Sequence, residues 1–84
     1  MFWKDPNDNG MEEVTWSPQA GFGTPSQVPN VNNVASSPTA IVIPSMGAEA
    51  IFWKDSNGYL AETWWQGTWK SGPPAEYTQF GQLN

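Results

Sequence analysis

Residues 52 to 65 read Phe52-Trp53-Lys54-Asp55-Ser56-Asn57-Gly58-Tyr59-Leu60-Ala61-Glu62-Thr63-Trp64-Trp65, and they set the architecture of the chain. Asn-Gly tolerates the positive φ angles of a tight hairpin turn, and here it stands between two segments rich in aromatic residues. The pattern predicts a β-hairpin, with one strand from Ala48 to Lys54 and the next from Tyr59 to Trp65.

Most of this hairpin occurs twice in the chain. Phe2-Trp3-Lys4-Asp5 recurs fifty residues later as Phe52-Trp53-Lys54-Asp55, and Asn9-Gly10 recurs as Asn57-Gly58. Glu13-x-x-Trp16 recurs as Glu62-x-x-Trp65. The landmarks keep their order, so we interpret residues 1–84 as a single tandem unit, with repeat 1 at 1–35 and repeat 2 at 36–84.

The period favours an all-β fold of the propeller type, whose four-stranded blades repeat every roughly 40 to 50 residues. In repeat 2 the predicted inner strand is Thr39 to Ile43, an unbroken run of β-formers that implies burial on both faces. Trp69 is expected to open the outer strand, and Ser71-Gly72-Pro73-Pro74 to end it. Repeat 1 shows only the second, third and fourth strands, the last of them within residues 17–37. Helical periodicity is not seen in any window.

One and three-quarter blades cannot close a ring, and they leave sheet edges and aromatic faces open. We therefore expect a ring completed by oligomerisation, with a trimer of about six blades favoured, since at least three repeats usually bury a continuous core. Residues 77–83 of a neighbouring subunit are one candidate for the missing inner strand. A truncated or engineered chain is the other explanation.

The composition restricts the classes of function that we expect for this chain. The chain of 84 residues has eight acids, three Lys, no Arg, no His and no Cys, for a net charge of −5. Such a surface repels nucleic acid and anionic membranes, and no apolar run has the roughly 20 residues of a membrane span. Without His or Cys as base or nucleophile, we expect no enzyme activity, and no cofactor is predicted. The N-terminus lacks the features of a signal peptide, which leaves open both a cytoplasmic location and extracellular release by another route.

The segment from Ala50 to Trp69 resembles a blade of the fucose-binding β-propeller lectins of the Aleuria type. It is also similar to blades of related seven-bladed bacterial lectins, in which a Ser-x-Pro segment precedes the inner strand, as Ser36-Ser37-Pro38 does here. The resemblance covers both repeats. It implies a multivalent lectin that binds neutral sugars, fucose or other monosaccharides, between adjacent blades. Some members are two-blade chains that trimerise into six-bladed rings.

The resemblance also implies which residues bind the sugar. In the family one blade supplies an Arg and a Glu, and the next blade supplies two aromatic side chains. The Arg positions fall on Met1 and Ile51, so the family's binding Arg is absent from this chain. The remaining positions are Glu13, Trp16, Phe22, Glu62, Trp65 and Trp69. An aromatic face covers the C–H face of a sugar, and a carboxylate accepts strong hydrogen bonds from its hydroxyls. Glu13 with Trp65 and Trp69 would form one site within the chain. Glu62 would form a second with Trp16 and Phe22 of a neighbour.

Other interpretations remain open at this point. All the aromatic residues could belong to the core of a structural or protein-binding propeller fragment, and Trp64 and Trp65 face opposite sides of their strand. Lys4 and Lys54 could reach a ligand, or simply lie in solvent. Asp5 to Gly10 matches the opening of a calcium loop, but a long polar hairpin turn explains it better, and no metal site is predicted.

Overall fold

A computed structural model describes residues 1–83 of the chain. The prediction of an all-β fold is confirmed, because the described residues contain nine strands and a single 3-10 turn at Pro44–Met46. Along the part of the chain that is described, no helix is long and apolar enough to cross a membrane. In chain order the strands are β1 (Phe2–Lys4), β2 (Met11–Glu13), β3 (Trp16–Ser17), β4 (Gly21–Phe22), β5 (Ser26–Gln27), β6 (Thr39–Ile43), β7 (Ala48–Lys54), β8 (Leu60–Trp65) and β9 (Ala75–Tyr77).

Repeat 2 forms a four-stranded antiparallel sheet in the order β6-β7-β8-β9. Strands β6 and β7 have the bounds expected from the sequence, and β8 begins one residue later than expected, at Leu60. The Asp55 carboxylate shapes the β7–β8 turn, since its Oδ1 accepts the backbone N–H groups of Asn57 at 3.0 Å and Tyr59 at 2.9 Å. Gly58 takes a φ of 88°, a conformation that favours glycine.

The outer strand of repeat 2 lies further along the chain than Trp69, so that expectation was wrong. Trp69 forms only an isolated bridge with Trp65, inside a tight loop that turns at Gly67 with a φ of 76°. The chain reaches the edge of β8 only after Pro73-Pro74, where Ala75–Tyr77 pairs with residues 60–62. Proline has no N–H to donate to a strand ladder, so pairing resumes only when both prolines have passed.

Repeat 1 forms a smaller sheet in the order β1-β2-β5, with β3 and β4 as a separate hairpin. The second, third and fourth strands expected in this repeat are thus present. The pairing repeats that of the second sheet, because Glu13 opposes Ser26 where Glu62 opposes Ala75. The β3–β4 pair Trp16↔Phe22 has its counterpart in the isolated bridge of repeat 2.

The two sheets share one hydrophobic core. Repeat 1 and the segment that follows β5 contribute Met11, Val28, Val31 and Val34, while repeat 2 contributes Ile51, Trp53 and Ala61. The connecting segment is tied to β7, since Val34 bridges Asp55 and the Ala35 N–H donates to the Lys54 carbonyl at 2.9 Å. Trp53 is buried in this core, with 3% of its surface exposed. Neither sheet is large enough to bury these side chains alone.

Strand β6 is not buried on both faces in the single chain. It is the edge of its sheet, and Val42 is 67% exposed. An apolar run shows that a strand suits a covered position, but it does not show whether the covering surface belongs to the same chain.

Residues 81–83 lie against the β7–β8 turn of their own repeat. The Leu83 N–H donates to the Gly58 carbonyl at 2.7 Å, and Gln82 Nε2 donates to the Asn57 carbonyl at 2.9 Å. Tyr77 already belongs to β9. The segment considered as a donated inner strand for a neighbour is therefore engaged within its own subunit.

Candidate functional site

Glu49, Trp65 and Trp69 form a row across one face of the repeat 2 sheet. Glu49 on β7 is the direct partner of Trp65 on β8, and Trp65 bridges Trp69 on its other side. Directly opposed residues of an antiparallel pair place their side chains on the same face, with Cβ atoms roughly 4.5–5.5 Å apart. Two residues further along β7 this face carries Ile51, which is fully buried in the core. The row therefore lies where the contact between the two sheets opens to solvent.

Repeat 1 completes this edge with Glu13 and Thr15. Together with the row they line a cavity of about 220 Å³, which we call the seam cavity. Glu13 is half-buried, and its carboxylate accepts a long hydrogen bond of 3.5 Å from Ser26 Oγ. The structure thus brings together Glu13, Trp65 and Trp69, three of the residues singled out from the sequence.

Trp69 also has a structural role. Its ring meets Phe2 edge to face, with centroids 6.1 Å apart and planes at 86°, and both rings pack against the core. Trp65 is 40% exposed, so a larger share of its surface remains free to meet a ligand. Trp64, its neighbour on the strand, is a partner of Ala50 on the opposite face, and the Lys70 ammonium lies 5.2 Å from its ring centroid.

Trp16 and Phe22 line an adjoining cleft of about 500 Å³, together with Met1, Phe2, Glu13, Val14, Thr15 and Glu49. They are among the most exposed aromatic residues, at 61% and 67%. Glu62 is not part of this cleft. Within one chain the structure therefore separates Glu62 from the two aromatic residues with which it was expected to act across a subunit boundary.

Glu62 lies on the far face of repeat 2, where it pairs with Phe52 and Ala75. Its Oε1 accepts a hydrogen bond from the Tyr77 hydroxyl at 2.5 Å. This hydrogen bond, and to a smaller extent burial and the carboxylate charge, raises the pKa of the Tyr77 phenol above its ordinary value of 10.0. Glu62 is thus held by its own repeat, whereas Glu13 has only the long contact with Ser26.

Glu49 and Thr15 were missed by the sequence analysis. The observed register, with Glu49 opposite Trp65, is centred on Asn57, whereas a two-residue turn at Asn57-Gly58 would place Ala50 opposite Trp65. Since a shift of one residue moves a side chain to the other face of the sheet, counting back from the predicted turn could not have found Glu49. Thr15 lies two residues after Glu13, on the same side of an extended chain. What the repeat could not show is that both would meet the aromatic row of the other sheet.

The two positions that correspond to the family's Arg, Met1 and Ile51, do not line the seam cavity. Ile51 is a fully buried core residue, and Met1 is exposed on the outer side of repeat 1 with its amino group donating to the Val14 carbonyl at 2.9 Å. Lys4 does not replace the Arg, since its ammonium donates to the backbone carbonyls of Asp5 and Asp8 at 3.4 Å and 3.0 Å. Lys54 lies beside a different cavity, with Phe52 and Leu60.

The loop from Asp5 to Gly10 is a hairpin turn closed by its own side chains. Asp5 Oδ1 accepts the Asn7 N–H at 2.8 Å, and Asp8 Oδ1 accepts the Gly10 N–H at 2.6 Å. The Lys4 ammonium donates to the backbone carbonyls of Asp5 and Asp8 in the same loop. Among the described residues no group of three or more acids, His or Cys is placed to hold a metal ion. A cavity of about 520 Å³ adjoins this loop, but its lining residues offer no aromatic face.

The aromatic rings that line the seam cavity can stack against a small ligand, and its carboxylates can accept hydrogen bonds from that ligand. Its volume lies below the roughly 300–1,000 Å³ of sites for drug-sized molecules, so it fits a ligand of about one sugar ring. Comparison of the chain with family models, curated proteins and solved structures finds no match to any of them.

Proposed function

We propose that the protein is a non-enzymatic lectin that binds sugars in the seam cavity. The observation that carries this proposal is the meeting of Glu13 from one repeat with Trp65 and Trp69 from the other in a single small cavity. The combination supplies an apolar face and a strong hydrogen-bond acceptor, which are the two requirements of a pyranose ring. Since each sheet contributes only part of the site, it exists only where the two repeats pack together.

We further propose that each repeat is a propeller blade and that several chains close a ring, most simply as a trimer. Packing of repeat 1 against repeat 2 leaves one face of each sheet uncovered. The first open face, on repeat 1, consists of Met1, Trp3, Glu12, Val14, Trp16 and Phe22. The second open face, on repeat 2, consists of Phe52, Leu60, Glu62 and Tyr77.

These two open faces correspond to the pair that is already packed within the chain. On the second open face Phe52 and Glu62 occupy the positions of Phe2 and Glu13, and on the first Trp16 and Phe22 occupy those of Trp65 and Trp69. A contact of this head-to-tail kind propagates until the rotation closes a ring. In that ring Glu62 of one subunit meets Trp16 and Phe22 of the next, which makes a second sugar site.

Matched changes of two neighbouring carboxylates test the seam site. Glu12 and Glu13 are both half-buried on β2, but they face opposite sides of the sheet, so Glu13→Gln and Glu12→Gln change the charge equally. A glycan array identifies a ligand, and titration followed by Trp fluorescence measures its affinity. We expect Glu13→Gln to weaken binding by about tenfold, as for loss of a hydrogen bond to a charged group, and Glu12→Gln to leave it unchanged. Equal effects of both changes would contradict the proposed site.

The ring is tested separately by sedimentation velocity. A negative charge in the second open face, introduced as Phe52→Glu, is expected to dissociate the oligomer, because the interface would bury an unpaired charge. Phe80→Glu is the control, since Phe80 is 65% exposed near the C-terminus. A folded wild-type monomer at micromolar concentration would refute the ring. It would leave the proposed sugar site intact, because the seam cavity lies within one chain.

The edge-to-face contact of Trp69 with Phe2 favours a second candidate, a structural or protein-binding propeller fragment. In that case Trp65→Ala or Trp69→Ala would lower stability, and a broad glycan array would give no response.

A further inference from the structure

The seam cavity contains two carboxylates, and this determines which sugars it suits. Glu13 and Glu49 line both the seam cavity and the adjoining cleft, so one ligand can reach both groups. A neutral pyranose needs at most one such charge. Two carboxylates beside two indole rings form the surroundings that an organic cation prefers, because indole faces attract cations and carboxylates pair with them.

None of the three lysines lines the seam cavity, and two of them have contacts elsewhere. The Lys4 ammonium is bound by the carbonyls of its hairpin turn, and that of Lys70 donates to the carbonyls of Ser71 and Pro73 at 3.2 Å and 2.8 Å. Lys70 also lies over Trp64, on the far side of β8 from the seam. The sheet thus already places an ammonium on one of its Trp rings, while the lining of the seam cavity contains no Lys.

We propose that the seam cavity selects amino sugars that carry a free ammonium group, as glucosamine units do, over neutral or N-acetylated sugars. The sugar ring stacks on Trp65, Glu13 accepts hydrogen bonds from hydroxyl groups, and Glu49 pairs with the ammonium. This inference rests on the proposed lectin function and names its ligand class. The net charge of −5 favours the same ligands, since it attracts polycationic glycans from a distance.

The experiment compares two ligands with the same backbone, a fully deacetylated chitotriose and its fully N-acetylated form. Binding to the intact protein is measured by calorimetry and Trp fluorescence at low and high salt. We expect the deacetylated form to bind more tightly by at least about fivefold at low salt, with the preference shrinking as salt screens the charges. Glu49→Gln is expected to weaken the deacetylated ligand about three- to tenfold and to leave neutral sugars unaffected.

Glu12→Gln is the control for overall charge, because it removes the same charge from the far side of repeat 1. If it weakens the deacetylated ligand as much as Glu49→Gln does, the attraction is unspecific and the inference is overturned. If neutral or N-acetylated sugars bind the seam at least as well, with Glu13→Gln still harmful, the inference falls but the lectin proposal stands. If neither class of sugar binds, both fall.

Discussion

Replacing Asp55 by Ala and by Asn has different consequences for the β7–β8 turn. Asp55 is fully buried. Its Oδ1 holds two backbone N–H groups, at 3.0 Å and 2.9 Å, while Oδ2 has no hydrogen-bond partner. Glu76 on β9 interacts with this carboxylate, and this interaction raises the pKa of Glu76 above its ordinary value. One oxygen of Asp55 thus stabilises the turn, and the other is buried without a hydrogen-bond partner.

The expected magnitudes come from these contacts. Asp55→Ala removes both hydrogen bonds to a charged group, each worth about 1.5–3 kcal/mol. Water can reach the freed amide of the exposed Asn57, and loss of the unpartnered oxygen offsets part of the damage. We therefore expect a net destabilisation of about 1–3 kcal/mol. Asp55→Asn keeps an acceptor at Oδ1 and places an N–H donor where Oδ2 was, so its stability should lie within about 1 kcal/mol of wild type.

The assay is urea unfolding followed by Trp fluorescence at neutral pH, at one fixed protein concentration, since assembly would make the midpoint depend on concentration. For a domain of this size about 1 kcal/mol shifts the melting temperature by about 4–8 °C, so thermal unfolding can confirm the order of the variants. An Asp55→Asn variant as unstable as Asp55→Ala would show that an N–H donor is not tolerated in the place of the unpartnered oxygen.

Three further outcomes are expected. Because the pKa of Glu76 is raised on folding, its contribution to stability is full below the unfolded pKa near 4.5 and is lost as the pH rises through the higher folded value. Glu76→Gln, which can donate to Asp55 at any pH, should remove this decline from stability measured between pH 3 and 7, and an unchanged profile would show that the pair does not share a proton. Glu62→Gln should lower the pKa of Tyr77 toward 10.0, visible as an earlier phenolate absorbance in an alkaline titration; no change would mean that the hydrogen bond does not persist in solution. Ile51→Ala should destabilise the fold by about 2–5 kcal/mol in chemical unfolding, as expected at a fully buried core position, and a loss below about 1 kcal/mol would mean that the seam is not a shared core.

The hairpin and the repeat could be predicted because their signals are local. Asn57-Gly58 between two aromatic segments specifies a turn and, with it, the pairing of β7 with β8. Repetition of Phe-Trp-Lys-Asp then transfers the same structure to repeat 1. Glu13, Trp65 and Trp69 were selected by the resemblance of these repeats to known lectin blades, and they meet because equivalent strands of adjacent repeats pack together.

The outer strand was misplaced because its local signals conflict. Trp69 has high β-propensity, but the loop at Gly67 returns the chain to Trp65 for a single bridge before two prolines delay the real strand. The sequence pattern also could not predict that Thr39–Ile43 is exposed in the single chain. An apolar run has the same sequence whether the strand is covered by its own chain, by a neighbouring subunit or by neither.

The sequence alone determined that this chain forms antiparallel sheets and that it forms them twice. Turn residues and strand patterning act over a few residues, so they can be recognised in the sequence before the tertiary structure is known. Only the tertiary structure decided that Glu49 joins Glu13 at the seam, that Tyr77 engages Glu62, and that Asp55 is buried with one oxygen unpartnered. These facts depend on which faces of two distant sheets meet, and that is set by packing across the whole chain.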